Sequence, residues 1–119
     1  MGLTLSEVCE ILEAEVFVGK EKMDRPFEAG FAADLMSDLL HLPTSGALLL
    51  SGLNNIQVLK SSVISGVGGV VLVRGKRPSK ELIEEAEKHG LPLLATTFTM
   101  FTSCGRLFRE GLRGVEDRL

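Results

Sequence analysis

From residue 47 onward, three short apolar runs are each followed by a helical pattern. The runs cover residues 47–50, 70–73 and 93–95, and glycine or proline lies close to each of them. The last two predict strands at residues 69–73 and 93–97. After each run, apolar residues recur every three or four positions, which is typical of a helix with one buried face. Strands that alternate with helices in this way predict parallel crossover units and a sheet that is covered on both faces.

Residues at the predicted helix boundaries support this pattern. Asn54 or Asn55 can cap the helix that follows the first run, and Gly66 ends that helix. Ser79 caps the next helix, and Gly90 ends it. These two helices therefore carry local start and stop signals as well as an apolar face.

The first 46 residues are less regular. Thr4 and Glu7 have the spacing of a capping box and predict a helix that starts near the chain's beginning. Residues 16–18 predict a short buried strand. Residues 29–34 favour a strand, and residues 37–41 favour a short helix. We therefore expect a three-layer α/β fold, in which a mainly parallel sheet has helices on both faces.

Length and composition narrow the class of protein. The 119 residues fit a single domain, 1–119, with a core at about residues 4–112 and a polar tail, 113–119, that we expect to fray. The net charge of −3 and the absence of Trp and Tyr argue against nucleic-acid binding. No apolar run approaches the roughly 18 residues of a membrane-spanning helix, and the first residues do not resemble a secretion signal. We expect a cytoplasmic protein without membrane association.

The loops that follow the predicted strands hold the candidate ligand-binding residues. In a parallel sheet these loops meet at the carboxyl edge, where ligands are usually bound. Helix capping and ordinary surface charge are the alternative explanations for the same polar residues. The candidates are Gly52, Asn54, Asn55, Arg74, Gly75, Thr96 and Thr97.

Catalytic machinery is not evident in the sequence. The glycine-rich segment 65–69 precedes a strand, whereas a phosphate-binding loop lies between a strand and a helix. The plausible acids, bases and nucleophiles are Asp34, Asp38, His41 and Cys104, and none has an activating partner nearby in sequence. We expect no catalytic residues, no metal site and no cofactor.

The two cysteines, Cys9 and Cys104, lie on the apolar faces of predicted helices. Free cysteines in such positions usually behave as small buried hydrophobic residues. A redox pair would require the two helices to be neighbours, which the sequence does not decide.

A second group of polar residues lies in an otherwise small and apolar stretch. Asp24 and Arg25 are followed by Asp34, Ser37 and Asp38. We interpret this group as a salt-bridge network that fixes the loop, with a binding surface as the alternative.

Two separated blocks of the sequence resemble the DRTGG domain family. Residues 23–40 read MDRPFEAGFAADLMSDLL, and residues 69–101 contain GVVLVRGKRPS and then GLPLLATTFTMF. Asp24 and Arg25 match the motif that gives the family its name, Pro26 stands in place of its threonine, and Gly30 matches its second glycine. The resemblance covers about residues 4–112.

The resemblance implies a fold like that of the N-terminal domain of HPr kinase/phosphorylase and a regulatory or accessory role. Related domains lie beside CBS domains in regulated pyrophosphatases and in front of phosphotransacetylases. The kinase activity is not implied, because its nucleotide-binding loop is absent from this sequence. Our first hypothesis is a non-catalytic module that acts through a protein partner as a homodimer. The alternative is a sensor of a nucleotide or another phosphate ester, and an enzyme is the third possibility.

Overall fold

The computed structural model describes residues 2–118 and contains a six-stranded sheet and a two-stranded ribbon. The strands are β1 Leu3–Thr4, β2 Glu15–Val18, β3 Pro26–Phe27, β4 Ala29–Ala32, β5 Leu48–Ser51, β6 Gly69–Leu72, β7 Leu93–Ala95 and β8 Arg113–Gly114. The order in the large sheet is β2-β7-β6-β5-β4-β8. Neighbouring strands are parallel, except that β2 runs antiparallel to β7. The predicted mainly parallel sheet is therefore confirmed.

Within residues 2–118, four α-helices cover the two faces of this sheet. They are α1 Leu5–Leu12, α2 Ile56–Ser65, α3 Lys80–His89 and α4 Met100–Arg109. Helices α2 and α3 bury their apolar residues on one face, whereas α1 and α4 bury theirs on the other. Strands β5 and β6 lie between these layers, and every residue in them is buried, including Ser51 at the end of β5. This confirms the three-layer α/β fold.

Side-chain caps explain where the helices begin. The Thr4 hydroxyl accepts a hydrogen bond from the Glu7 N–H at 3.2 Å, and the Glu7 carboxylate accepts one from the Thr4 N–H at 2.9 Å. Asn55, Ser79 and Thr99 cap α2, α3 and α4 by accepting hydrogen bonds from main-chain N–H groups two or three residues further on. Such caps satisfy donors that have no partner inside the helix. The choice between Asn54 and Asn55 is thus resolved in favour of Asn55.

The ribbon of β1 and β3 lies against the beginning of β6. Phe27 is fully buried, and its ring would contact a Cβ at either Gly68 or Gly69 at 3.0 Å. Arg25 Nη1 donates a hydrogen bond to the Gly68 carbonyl oxygen at 2.9 Å. The two glycines therefore leave room for the ring, and Arg25 fixes the ribbon to the amino edge of the sheet.

Residues 113–118 do not form the frayed tail that the sequence predicts. Two of them form β8, which pairs in parallel with β4, and Val115 is fully buried. Arg118 Nη1 donates hydrogen bonds at 2.7 and 2.8 Å to two carbonyl oxygens of the loop before β5. The prediction was wrong because main-chain pairing and one buried valine outweigh the polar composition. Leu119 lies outside the described residues.

Two other boundaries differ from prediction. The strand expected at residues 29–34 ends at Ala32, and the strand expected at 93–97 ends at Ala95. The short helix expected at residues 37–41 is a 3₁₀ helix over Met36–Leu40. Short 3₁₀ segments often connect other elements. The pattern therefore predicted a helical segment at this place but not that it is a 3₁₀ helix.

Candidate functional site

The loops after β6 and β7 are joined by main-chain hydrogen bonds at the carboxyl edge of the sheet. The Arg74 N–H donates to the Phe98 carbonyl oxygen at 2.7 Å, and the Gly75 N–H donates to the Thr96 carbonyl oxygen at 2.9 Å. The two loops are therefore connected to each other, and they contain four of the predicted site residues: Arg74, Gly75, Thr96 and Thr97.

Arg74 is held in an unfavourable backbone conformation. Its φ is +64°, in the left-handed region that glycine prefers, and the following Gly75 has a φ of +72°. Residues other than glycine occupy this region at a cost of about 1–2 kcal/mol, and such strain is concentrated at functional sites. Among residues 2–118, no carboxylate lies within ion-pair distance of the exposed Arg74 guanidinium.

The guanidinium of Arg74 lies directly over Gly52, in the loop after β5. A Cβ at Gly52 would be 2.6 Å from Arg74 Nη2, so any other residue would force the arginine to move. The structure thus brings together Gly52 and Arg74, which are 22 positions apart in the sequence. The glycine permits the close approach.

Asp34, which follows β4, also contacts Gly52. Its Oδ1 accepts a hydrogen bond from the Gly52 N–H at 2.7 Å and another from the Ser51 hydroxyl at 3.2 Å. The sequence pattern instead groups Asp34 with Asp24, Arg25, Ser37 and Asp38. The available signal was its position two residues after a parallel strand, which places it at the same edge as the other strand ends.

The two asparagines of the β5–α2 loop have structural roles. Asn55 caps α2, as described above. Asn54 Nδ2 donates to the Arg77 carbonyl oxygen at 2.7 Å, and Asn54 Oδ1 accepts from the Ser79 N–H at 3.3 Å. Asn54 therefore connects this loop to the one before α3, and both asparagines already have main-chain partners.

Thr96 and Thr97 differ sharply in their surroundings. The Thr96 hydroxyl is buried, donates to the Leu12 carbonyl oxygen at 2.6 Å and accepts from the Phe98 N–H at 3.2 Å. Thr97 is exposed on the same loop. Of the two candidates, only Thr97 presents a side chain that a ligand can reach.

Replacement of Thr96 by valine tests this structural role. Valine has nearly the same shape but leaves the Leu12 carbonyl and the Phe98 N–H without a partner. We expect the free energy of unfolding to fall by about 1–3 kcal/mol, measured by urea denaturation. The matched control is Thr97→Val, which should change it by less than about 0.5 kcal/mol because the side chain is exposed. Equal losses for both variants would contradict the assignment.

Positive charge is concentrated at this edge of an otherwise acidic chain. Helices α2, α3 and α4 all begin here, and helix N-termini carry partial positive charge. The β6–α3 loop adds Arg74, Lys76 and Arg77. Arg77 is partly neutralised, since its Nη1 lies 3.4 Å from a carboxylate oxygen of Glu15 and its guanidinium lies 4.9 Å from the Phe17 ring centroid. The edge therefore suits an anionic ligand.

The residues of the second sequence group do not form a network. Asp24 is exposed, Arg25 binds the Gly68 carbonyl at the opposite edge of the sheet, and Asp34 lies beside Gly52. Ser37 and Asp38 are exposed in the 3₁₀ helix. Gly30 lies in β4, where a Cβ would be 2.8 Å from Leu112 Cδ2. No ion pair joins the charged members of this group within residues 2–118, so the predicted salt-bridge network was wrong.

Burial makes the two cysteine thiols less reactive. Burial raises the pKa of both the Cys9 and the Cys104 thiol, which disfavours the nucleophilic thiolate. His89 forms a contact of 3.0 Å with Glu85 one helical turn away, and His41 is exposed.

Over residues 2–118, no three His, Cys, Asp or Glu side chains are grouped to hold a metal ion. None of the helices there has the length and apolar character to cross a bilayer.

Thiol alkylation checks the cysteine assignment. Because the raised pKa keeps both thiols protonated at neutral pH, we expect the native protein to react with iodoacetamide more slowly than free cysteine does. The reaction should accelerate as the pH rises through the native pKa, and denaturation in urea should restore the rate of free cysteine. Rapid alkylation of one thiol in the native protein at neutral pH would indicate a reactive cysteine instead.

Comparison with known proteins identifies a matching domain family and a solved structure with a similar fold. The sequence matches the DRTGG domain over residues 7–109. No curated protein matches it. The chain is similar to the solved CBS and DRTGG domains of the regulatory region of Clostridium perfringens pyrophosphatase, a complex with its activator diadenosine tetraphosphate. The identity is 23%, the TM-score is 0.75, and the match covers 95% of this chain and 49% of that one. The present chain therefore spans about half the length of that regulatory region, and the likeness establishes the fold.

Proposed function

The chain belongs to the DRTGG domain family, and from this membership we propose that it is a non-catalytic regulatory module that binds a nucleotide or another phosphate ester. The proposed site lies at the carboxyl edge of the sheet, between the loops after β4, β5, β6 and β7. The described residues that form it are Asp34, Gly52, Arg74, Gly75 and Thr97.

The observation that carries this proposal is the state of Arg74. It is a strained, exposed arginine with no carboxylate partner among residues 2–118, and it lies over the main chain of Gly52. A guanidinium presents several donors in a planar arrangement that matches phosphate oxygens. The N-termini of three helices at the same edge add to the attraction for an anion.

Asp34 favours a nucleotide over bare phosphate. A carboxylate repels phosphate but accepts hydrogen bonds from hydroxyl and amino groups, which a nucleoside supplies. Asp34 and Arg74 both contact Gly52, so one ligand can reach both side chains. A molecule with phosphates at one end and a ribose or base at the other satisfies the two opposite charges.

Calorimetry with a series of ligands tests the proposal. The series contains AMP, ADP, ATP, diadenosine tetraphosphate and inorganic phosphate, and the dinucleotide is included because the similar regulatory region was solved with it as an activator. A nucleotide at about 100 times its dissociation constant should raise the free energy of unfolding by about 2.7 kcal/mol, visible as a higher melting temperature. We expect inorganic phosphate to give a smaller shift. The absence of heat and of a thermal shift with every member would refute the proposal.

A second part of the proposed function is action through protein contacts. We propose that the module forms a homodimer in the cytoplasm and transmits ligand binding to a partner protein. The supporting observation is a large apolar exposure on α4, where Phe101 is 88% and Phe108 is 60% exposed. Side chains of this kind on one helix are typical of an interaction surface. Light scattering after size exclusion tests the pairing, and a strict monomer at high concentration would contradict it.

A further inference from the structure

A groove lies on the sheet beside α4 and β4. Its volume is about 350 Å³, and its lining is mostly apolar. The floor is formed by small residues of β4, including Gly30 and Ala32, and one wall is formed by Leu107 and Phe108 of α4.

The outer face of α4 continues this apolar surface. Phe101, Cys104, Gly105 and Phe108 are spaced by one or two helical turns and so share one face of the helix. Phe101 and Phe108 are largely exposed, and Cys104 also lines the groove. The helix thus presents two exposed aromatic rings beside the groove.

Gly105 lies between the two phenylalanines. Glycine is among the least favourable residues in a helix interior, and a Cβ at this position would meet only open space. Packing within the chain therefore gives no reason for glycine here. A flat position between two exposed aromatic rings does allow another main chain or helix to approach closely from outside.

The charges around the groove suit a second copy of the same surface. Asp38 and Glu116 line it together with Arg113, so both signs are present on one patch. A two-fold interface places the same patch on both subunits, which requires a self-complementary surface. An arginine of one subunit can then face an acid of the other, whereas a patch of one sign would repel its copy.

We infer that this surface is where two copies of the chain associate, with the α4 helices crossing near Gly105 and the exposed Phe101 ring of each copy packed against the other copy. This inference deepens the proposed homodimer by naming its contact face, and it rests on that proposal. We expect association in the micromolar range, because the surface offers few large apolar side chains and has charged residues around the groove.

Sedimentation equilibrium of the wild type and two matched variants tests the inference. Gly105→Glu introduces a charge at the centre of the surface, where the side chain has free space in the single chain. Ile64→Glu introduces the same charge at an 80% exposed apolar position on α2, which covers the opposite face of the sheet. We expect Gly105→Glu to raise the dissociation constant of the dimer at least tenfold without lowering the melting temperature, and Ile64→Glu to leave it unchanged. Phe101→Ser provides a second variant of the surface should Gly105→Glu not fold.

Each outcome separates the inference from the proposals on which it rests. A wild-type dimer that Gly105→Glu and Phe101→Ser leave intact would overturn the contact face and leave the homodimer standing. If only Ile64→Glu dissociates the dimer, the interface lies on α2, and this result would also overturn the inference. A wild type that stays monomeric would overturn both the face and the homodimer, while ligand binding at Arg74, measured by calorimetry, would be unaffected.

Discussion

Replacement of Phe27 by alanine is expected to lower the free energy of unfolding by about 3–5 kcal/mol. The Phe27 ring is fully buried and lies against Gly68 and Gly69 at the start of β6. Its removal leaves a cavity that the glycines cannot fill, and it loosens the β1–β3 ribbon from the sheet. Since small domains are stable by only about 5–15 kcal/mol, the variant should unfold at much lower urea concentrations. Far-ultraviolet circular dichroism is the suitable probe because the chain has no Trp or Tyr.

Phe101→Ala is the matched control for this prediction. It removes the same ring from a position that is 88% exposed, so at protein concentrations where the chain is monomeric the free energy of unfolding should change by less than about 0.5 kcal/mol. Calorimetric binding of a nucleotide should also survive Phe27→Ala under conditions where the variant is folded, because Phe27 lies at the edge opposite Arg74. A loss below about 1 kcal/mol would mean that the ribbon is not anchored through this ring.

The predicted core of the fold relied on signals that are local in the sequence. The apolar runs at β5 and β6 and the caps at Thr4 and Ser79 each involve residues within a few positions of one another. Burial of a fully apolar strand and capping of a helix are determined largely by these neighbours. Such elements were therefore predictable without knowledge of what they pack against.

The elements that the sequence did not predict depend on distant partners. Strand β8 is two residues long, and it is a strand only because Arg113 and Gly114 pair with Ala29 and Gly30. The side chain of Arg25 binds the carbonyl of Gly68, 43 positions away, although its neighbour Asp24 suggests an ion pair. No local pattern encodes such contacts, since they depend on how the finished elements are arranged.

The candidate site also combines a feature that the sequence predicts with contacts that it does not predict. The predicted parallel order placed Gly52, Arg74, Gly75 and Thr97 at one edge of the sheet, because the ends of parallel strands meet there. The order did not indicate that Arg74 lies on Gly52 or that Asp34 reaches the same glycine. These contacts depend on the left-handed backbone at Arg74 and on the path of the chain after β4. The strand order thus predicts the edge at which the candidate site lies, and the side-chain contacts show which residues meet there.

Arg74→Gly is expected to separate ligand binding from stability. The substitution removes the exposed cation, and a charge-assisted hydrogen bond to phosphate contributes about 1.5–3 kcal/mol. Nucleotide affinity measured by calorimetry should therefore fall by about tenfold to a hundredfold. Glycine also relieves the strain at φ +64°, so the free energy of unfolding should stay the same or rise by up to about 1 kcal/mol. A variant that is weaker in binding but no less stable would mark Arg74 as a residue kept for its ligand.

Arg77→Gly is the control for this experiment, because it removes the same charge from the same loop. Arg77 already lies beside Glu15 and Phe17, so its guanidinium is less available to a ligand, and its loss should weaken nucleotide binding by less than about threefold, or under 1 kcal/mol. Equal losses of affinity in the two variants would indicate that the ligand responds only to the overall positive potential of the edge. Unchanged affinity in Arg74→Gly would show that the ligand does not bind beside Gly52. The contrast between the two arginines therefore decides whether the strained backbone at Arg74 serves a specific contact with the ligand.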